Sequence, residues 1–177
     1  MMEARKEKLA KTSLKNRKKI KHTKKMELEN QIKNQFYKAL QDSIEKMLNT
    51  QPMKDNDIKW FIELCNEIKQ RLNSLTPNRK DLQKQLNGSF DTKLIEQMLK
   101  NSALEKNDII HVTNCIFERL MMLCAPVQDK EIMQLKTDIQ NEPNFATGIA
   151  KLILESNKII DEIEKLANDF KNPQTND

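Results

Sequence analysis

An all-α bundle of about six to seven helices is predicted by three features of this chain. It has two glycines in 177 residues, too few for the tight turns that join strands. Its five prolines fall between segments of helical periodicity, not inside them. Apolar residues recur at spacings of three and four, and no segment keeps the period of two that a half-buried strand requires.

The first helical period starts near Met26 and runs through Leu28, Ile32, Phe36, Leu40, Ile44, Met47 and Leu48 to about Asn49. Pro52 marks a linker, and Asp55 or Asp57 is placed to cap the next helix. That helix carries Ile58, Phe61, Ile62, Cys65, Ile68, Leu72 and Leu75, with Trp60 widening its apolar face. Thr76-Pro77 reads as a cap followed by proline at the first position of a short helix bearing Leu82 and Leu86. Asn87-Gly88 is expected to stop it, with the glycine in a left-handed cap. Asp91 then caps a helix with Leu94, Ile95, Met98 and Leu99.

The most apolar helix follows, over about 108–124, opened by Asn107-Asp108. Ile109, Ile110, Val112, Cys115, Ile116, Phe117, Leu120, Met121, Met122, Leu123 and Cys124 cover more than half of its circumference. A helix apolar on most sides is buried on most sides, so it is expected at the centre of the bundle. Pro126 forces Ala125 out of helical geometry and ends it. Asp129 is expected to cap a short helix with Ile132, Leu135 and Ile139. A long last helix over about 143–170 starts at Pro143, with Phe145, Ile149, Leu152, Ile153, Ile160, Ile163, Leu166 and Phe170 on its stripe. Gly148 near its start is expected to mark close packing or a weak first turn.

Charge divides the chain. Residues 1–25 hold 11 Lys/Arg against two Glu, while the remainder holds 20 Lys/Arg against 24 Asp/Glu. The net charge of +5 is therefore a basic arm on a mildly acidic body. With few apolar residues to offset its ordering, the arm is read as disordered or as an extension of the first helix. Lys15, Arg17, Lys18, Lys19, Lys21, Lys24 and Lys25 make it a candidate for binding an anion. Nucleic acid, anionic lipid or nuclear import would each use that charge. No aromatic residue lies within 1–25, which disfavours stacking on single-stranded bases.

The pattern disfavours catalysis. His111 is the one histidine in the body, and no glycine-rich phosphate loop exists. Cys65, Cys115 and Cys124 show no Cys-x-x-Cys spacing, so neither a metal site nor another cofactor is expected. Cys115 and Cys124 point to nearly opposite sides of one helix, so they cannot pair, and buried free thiols are expected. No apolar run is long enough to span a membrane, and no secretory signal is present, so a cytoplasmic protein is expected.

Leu123-Cys124-Ala125-Pro126-Val127-Gln128-Asp129 resembles the T-complex protein 11 family signature Leu-Cys-Ala-Pro-Val-Arg-Asp-Glu, with six of these seven residues matching. Upstream, Phe90-Asp-Thr-Lys-Leu-Ile-Glu-Gln97 is similar to the family's Leu-Asp-x-x-Leu-Ile-x-Gln, and Asn101-Ser-Ala-Leu-Glu105 to its Asn-Gly-Ala-Leu-Asp. Residues 58–87 are similar more loosely. The likeness covers roughly 58–140, on a chain much shorter than family members. Gln128 replaces the family's arginine, and Lys130 its following acid.

The resemblance implies a non-enzymatic helical protein tied to cyclic-AMP and protein-kinase-A signalling. Charge and composition divide the chain into a basic arm (1–25), a helical domain (26–171) that resembles the N-terminal part of the family domain, and a polar tail (172–177). Residues 123–129 are then either a partner surface or bundle architecture. Lysine outnumbers arginine 26 to five and there are 18 asparagines, the usage of an AT-rich genome. A short eukaryotic-type domain with that usage suggests a bacterial effector delivered into the host cytosol. The contrasting expectation is a protein acting on nucleic acid or anionic membrane through its basic arm. A structural oligomer paired through the last helix is a third.

Overall fold

A computed structural model of the chain describes the backbone of residues 2–171 and the side chains of residues 23–170. The described residues form seven α-helices and one 3₁₀ turn, without a strand. These are α1 (Met2–Asn49), α2 (Asp55–Ser74), α3 (Lys80–Ser89), α4 (Thr92–Lys100), α5 (Lys106–Leu123), the turn Pro126–Gln128, α6 (Asp129–Gln140) and α7 (Phe145–Lys171). The chain divides into two units, Met1–Leu40 and Gln41–Asp177. The tail 172–177 and the side chains of Lys15, Arg17, Lys18, Lys19 and Lys21 lie outside the described residues.

The first unit consists of the N-terminal part of α1. The helix start expected near Met26 is not an end of α1, which begins at Met2. Residues 1–49 contain neither glycine nor proline and are rich in Lys, Glu, Leu and Ala, all good helix formers, so nothing in the sequence stops the helix there.

In the second unit, α7 packs on α2, α5 and α6, while α5 packs on α3, α6 and α7. The most apolar helix is therefore a core helix, as its composition requires. Ile116, Phe117 and Leu120 of α5 are fully buried. It shares the centre with α7, where Ile149, Ile153 and Ile160 are equally buried. α2 closes the far side with Ile58, Phe61, Cys65, Ile68 and Leu72, the stripe its periodicity predicts. α4 docks on α2, where Thr92 Oγ1 donates to Asn66 Oδ1 at 2.7 Å.

Helix ends depart from the sequence reading in informative ways. Asp91 does cap α4, accepting from the amides of Lys93 (3.0 Å) and Leu94 (3.2 Å). Asp55, Asp57 and Asp129, expected as caps, instead lie inside the first turns of α2 and α6. There they oppose the positive end of the helix dipole without bonding through a cap. Thr76 and Pro77 form a turn, and α3 starts only at Lys80. α5 opens at Lys106, two residues before Asp108, whose carboxylate accepts from the Glu105 amide at 2.9 Å. Pro143 precedes the true start of α7, where Asn144 Oδ1 accepts from the Thr147 amide at 3.0 Å. Gly88 is not left-handed, because α3 continues through it to Ser89.

Two arginines that the sequence reading did not single out tie the helices together. Arg119 on α5 is buried and donates to the Leu82 carbonyl at 2.5 Å and to Thr76 Oγ1 at 3.4 Å. Burial lowers its pKa. Arg71 near the end of α2 spreads its fork over α7. Nε and Nη2 donate to Glu164 at 3.0 and 2.7 Å, Nη2 to Asp161 at 2.6 Å, and Nη1 to Asn157 at 2.8 Å. These acceptors sit at 157, 161 and 164, one face of α7 at helical spacing. Both carboxylates are partly exposed, so water competes for them once the arginine is gone. Replacing Arg71 by Ala is expected to lower unfolding free energy by about 1–2 kcal/mol in denaturant titration. Glu164→Ala in the Arg71→Ala background should then cost much less than in the parent.

Candidate functional site

The motif of residues 123–129 is a hinge of backbone geometry. α5 ends at Leu123, and the Cys124 amide still donates to the Leu120 carbonyl at 3.0 Å. Cys124 and Ala125 are extended, the conformation that a following proline imposes on Ala125. Pro126 opens the 3₁₀ turn, closed by the Gln128 amide on the Ala125 carbonyl at 2.9 Å. Asp129 starts α6 at once. In seven residues the chain reverses from one core helix to the next, with no side chain capping α6.

The side chains of that hinge turn outward. Val127 is 87 % exposed, Ala125 and Pro126 are exposed, and Met122 on the preceding turn is largely exposed. Leu123, Cys124, Ala125 and Gln128 form one wall of an open cleft of about 320 Å³. The last turns of α7 form the other wall, through Ile159, Glu162, Ile163, Leu166, Ala167 and Phe170. Those α7 positions repeat at three and four, so the stripe that makes α7 a core helix continues past the core and lines the cleft. Leu166 and Phe170 are exposed large apolar residues. The one acid in the cleft is Glu162.

Of the expected arm residues, Lys24 and Lys25 are described, and both are exposed on α1. Lys25 pairs with Glu29 at 3.7 Å.

The structure brings together one pair that the sequence analysis did not consider. Cys115 Sγ lies 3.7 Å from His111 Nε2, one turn away on α5. A nucleophilic thiol needs a lowered pKa. That of Cys115 is raised, chiefly by burial. Cys124 is raised by burial and by the charges of Glu162 and Asp129. Cys65, fully buried, is pushed up to about 12. Buried thiols were expected at all three positions, but Cys115 on α5 and Cys124 just past its end are only half-buried. Among the described residues no three of His, Cys, Asp and Glu are grouped to hold a metal ion. No helix among them is long and apolar enough to cross a membrane.

The second family-like segment holds a local strain. α4 ends at Lys100, Asn101 Nδ2 donates to the Gln97 carbonyl at 2.8 Å, and the Ala103 amide donates to the Met98 carbonyl at 2.8 Å. Between them Ser102 takes φ 52°, the single positive φ among described non-glycine residues. A glycine suits that position after a helix end, and glycine is what the resembling pattern carries there. Ser102→Gly is therefore expected to raise stability by about 0.5–1 kcal/mol, and Ser102→Ala to give no such gain, both read by thermal unfolding. Alkylation of the native protein near pH 8 should modify Cys115 and Cys124 slowly, faster as pH rises because the thiolate is the reactant. Cys65 should react only on unfolding, and mass mapping of the alkylated peptides reads all three sites.

A family model described as T-complex protein 11 matches residues 10–173. That is wider than the 58–140 over which the motifs are legible, and it takes in both α1 and α7. Two human proteins are similar: T-complex protein 11-like X-linked protein 1 and T-complex protein 11-like X-linked protein 2. Each is 29% identical over 130 residues, covering 70% of this chain and 24% of the relative's own length. The chain thus spans about a quarter of the relatives it matches. No solved structure matches it. With the family model matched over nearly the whole chain and its signature forming the α5–α6 hinge, this chain belongs to the T-complex protein 11 family.

Proposed function

We propose that this chain is a non-enzymatic binding module that regulates or scaffolds a signalling partner, with residues 122–129 and the facing end of α7 as its partner surface. One observation carries the reading. The family signature presents its apolar side chains to solvent, with Val127 87 % exposed, beside a cleft whose α7 wall is also apolar. Large exposed apolar residues gathered at one place mark interaction sites more often than single scattered ones do. The raised thiols offer no activated nucleophile, which is why binding is preferred to catalysis.

The partner class is taken from the family, whose members are tied to cyclic-AMP and protein-kinase-A signalling. The Lys- and Asn-rich usage fits an AT-rich genome, and a short domain of this family from such a genome is consistent with a bacterial effector delivered into host cells; failure of a C-terminal reporter fusion to reach host cytosol would count against that part alone.

Purified regulatory and catalytic subunits of protein kinase A, passed over the immobilised full chain with and without cyclic AMP, test the reading. Capture by the parent is expected, and its loss in Val127→Asp and Leu166→Glu variants. Both substitutions lie on the surface, so unfolding free energy should change by no more than about 0.5 kcal/mol. No capture of either subunit removes the kinase assignment. Capture undiminished in both variants places the partner surface elsewhere.

A further inference from the structure

α2 and α3 pack together and leave an open cleft of about 550 Å³ beside the turn that joins them at Pro77. One wall is a face of α2, where Asn66, Lys69 and Asn73 are spaced by three and four. The other is a face of α3, where Lys80, Gln83 and Asn87 repeat that spacing. No carboxylate lines the cleft. It shares no residue with the hinge cleft and does not depend on the function proposed there.

The bonds around this cleft use up its acceptors and leave its donors. Asn66 Oδ1 accepts from Thr92 Oγ1 at 2.7 Å, and Asn87 Oδ1 accepts from Asn73 Nδ2 at 2.9 Å. Each of these two asparagines then has its amino group left to donate. Gln83 Nε2 donates to the carbonyls of Asn73, Thr76 and Pro77 at 3.3, 2.8 and 3.4 Å, which covers acceptors at the end of α2. Among the described residues Lys80 Nζ has one acceptor, Gln83 Oε1 at 3.4 Å. Lys69 is half-buried and has none among them, with its Nζ 6.0 Å from the centre of the Phe90 ring. Burial lowers its pKa, and the charge of Asp91 opposes that. Asp91 itself is engaged by the Lys93 and Leu94 amides at the start of α4. An ammonium partly removed from water without an acceptor lacks the counter-charge that would offset its burial.

We propose that this cleft binds a phosphate monoester, with Lys69 and Lys80 offsetting its charge and the amino groups of Asn66 and Asn87 donating to its oxygens.

The donor set selects among anions. A carboxylate brings one charge and two oxygens, which leaves one ammonium without counter-charge. A phosphodiester also brings one charge. A phosphate monoester carries a charge of about −1.5 to −2 near pH 7 and three free oxygens, which matches two lysines and two amide donors. Lysine acts on phosphate as a movable point charge, whereas the flat fork of arginine suits a carboxylate equally well. The cleft is larger than a phosphate group, so the organic part of the ester has room beside Pro77. A small phosphorylated metabolite and a phosphorylated side chain present the same group, and only their bodies differ.

Titration of the nitrogen-labelled full chain, followed by proton–nitrogen correlation spectra, tests this. The probes are glycerol 3-phosphate and the amide of N-acetylphosphoserine, with sodium acetate and sodium chloride at matched ionic strength. Saturable shifts are expected at the side-chain amides of Asn66 and Asn87 with both phosphates, at a Kd of about 1 mM or tighter. Tighter binding of the phosphoserine probe assigns the group to a peptide, and tighter binding of glycerol phosphate to a small molecule; either supports the site. Lys69→Gln should weaken binding about tenfold. Asn66→Asp should abolish it, because the carboxylate keeps the acceptor for Thr92 and replaces a donor by a repelling charge. Neither residue belongs to the buried core, so melting should hold, and the exposed Lys80→Gln gives an independent reading of the charge. The proposal fails if neither phosphate gives a saturable shift at these amides. It fails equally if acetate or chloride shifts them as much, or if all three variants bind like the parent.

Discussion

Everything in the second unit depends on the enclosure of α7. Between Ala146 and Ser156 the positions left partly open are Thr147, Lys151 and Glu155, one stripe four residues apart. Every other side of that stretch is covered, so α2, α5 and α6 must all reach it. Their approach is close because small residues recur there: Ala146, Gly148, Ala150 and Ser156. A Cβ built on Gly148 would stand 3.5 Å from Glu142 Cβ and 3.6 Å from the Ile139 carbonyl, ordinary packing with no room left over. Even the open stripe is used. Lys151 bridges to Glu142, whose carboxyl it holds below the usual range, and this fastens the loop between α6 and α7. The Arg71 fork repeats the device one helix away. Burial sets the positions of the helices, and the ion pairs fix their rotation where burial runs out.

Periodicity made most of this legible. The stripe of α2 is a packing fact that three-and-four spacing reports directly, whereas of the α4 stripe only Ile95 and Leu99 are buried, with Leu94 48% exposed, and α5 buries Val112, Ile116, Phe117 and Leu120 while Met122 is 60% exposed. The enclosure of α7 was only half legible. Its stripe was plain, but Leu154 and Ala150, off the stripe, are buried as well, because three neighbours surround the helix instead of one. Helix ends were the weakest part. An acid near a helix start can bond through a cap or simply oppose the dipole, and sequence does not distinguish Asp91, which bonds, from Asp129, which does not. Arg71 and Arg119 escaped for a different reason. A lone arginine on a helix looks like a solvated face, and only the tertiary fold supplies Glu164, Asp161 and the Leu82 carbonyl.

At the hinge between α5 and α6, architecture and the proposed interface would use different atoms. The turn is made by backbone: two extended residues, a proline at the start of the 3₁₀ turn, and amide-to-carbonyl bonds. Architecture therefore constrains Pro126 strongly, and Ala125 through it, while the side chains of Val127 and Gln128 make no bond that holds the turn. A single segment can serve both purposes because they use different atoms.

That separation accounts for where this chain departs from its family. The signature's arginine is Gln128 here, and the acid beyond it is Lys130. Gln128 precedes α6 without a side-chain bond to the helix, and Lys130 is exposed on its first turn. Neither side chain holds the hinge, so the fold does not resist their exchange. Of the retained residues, Ala125 and Pro126 set the turn after α5, while Val127 is retained at an exposed position. What the exchange does alter is charge: one positive group lost and one acid reversed, beside a cleft whose other wall carries Glu162. A partner that relied on the family's arginine would find an amide. One that avoided the family's acid would find a lysine. The substitutions therefore change the charge beside the cleft at a turn that their side chains do not hold.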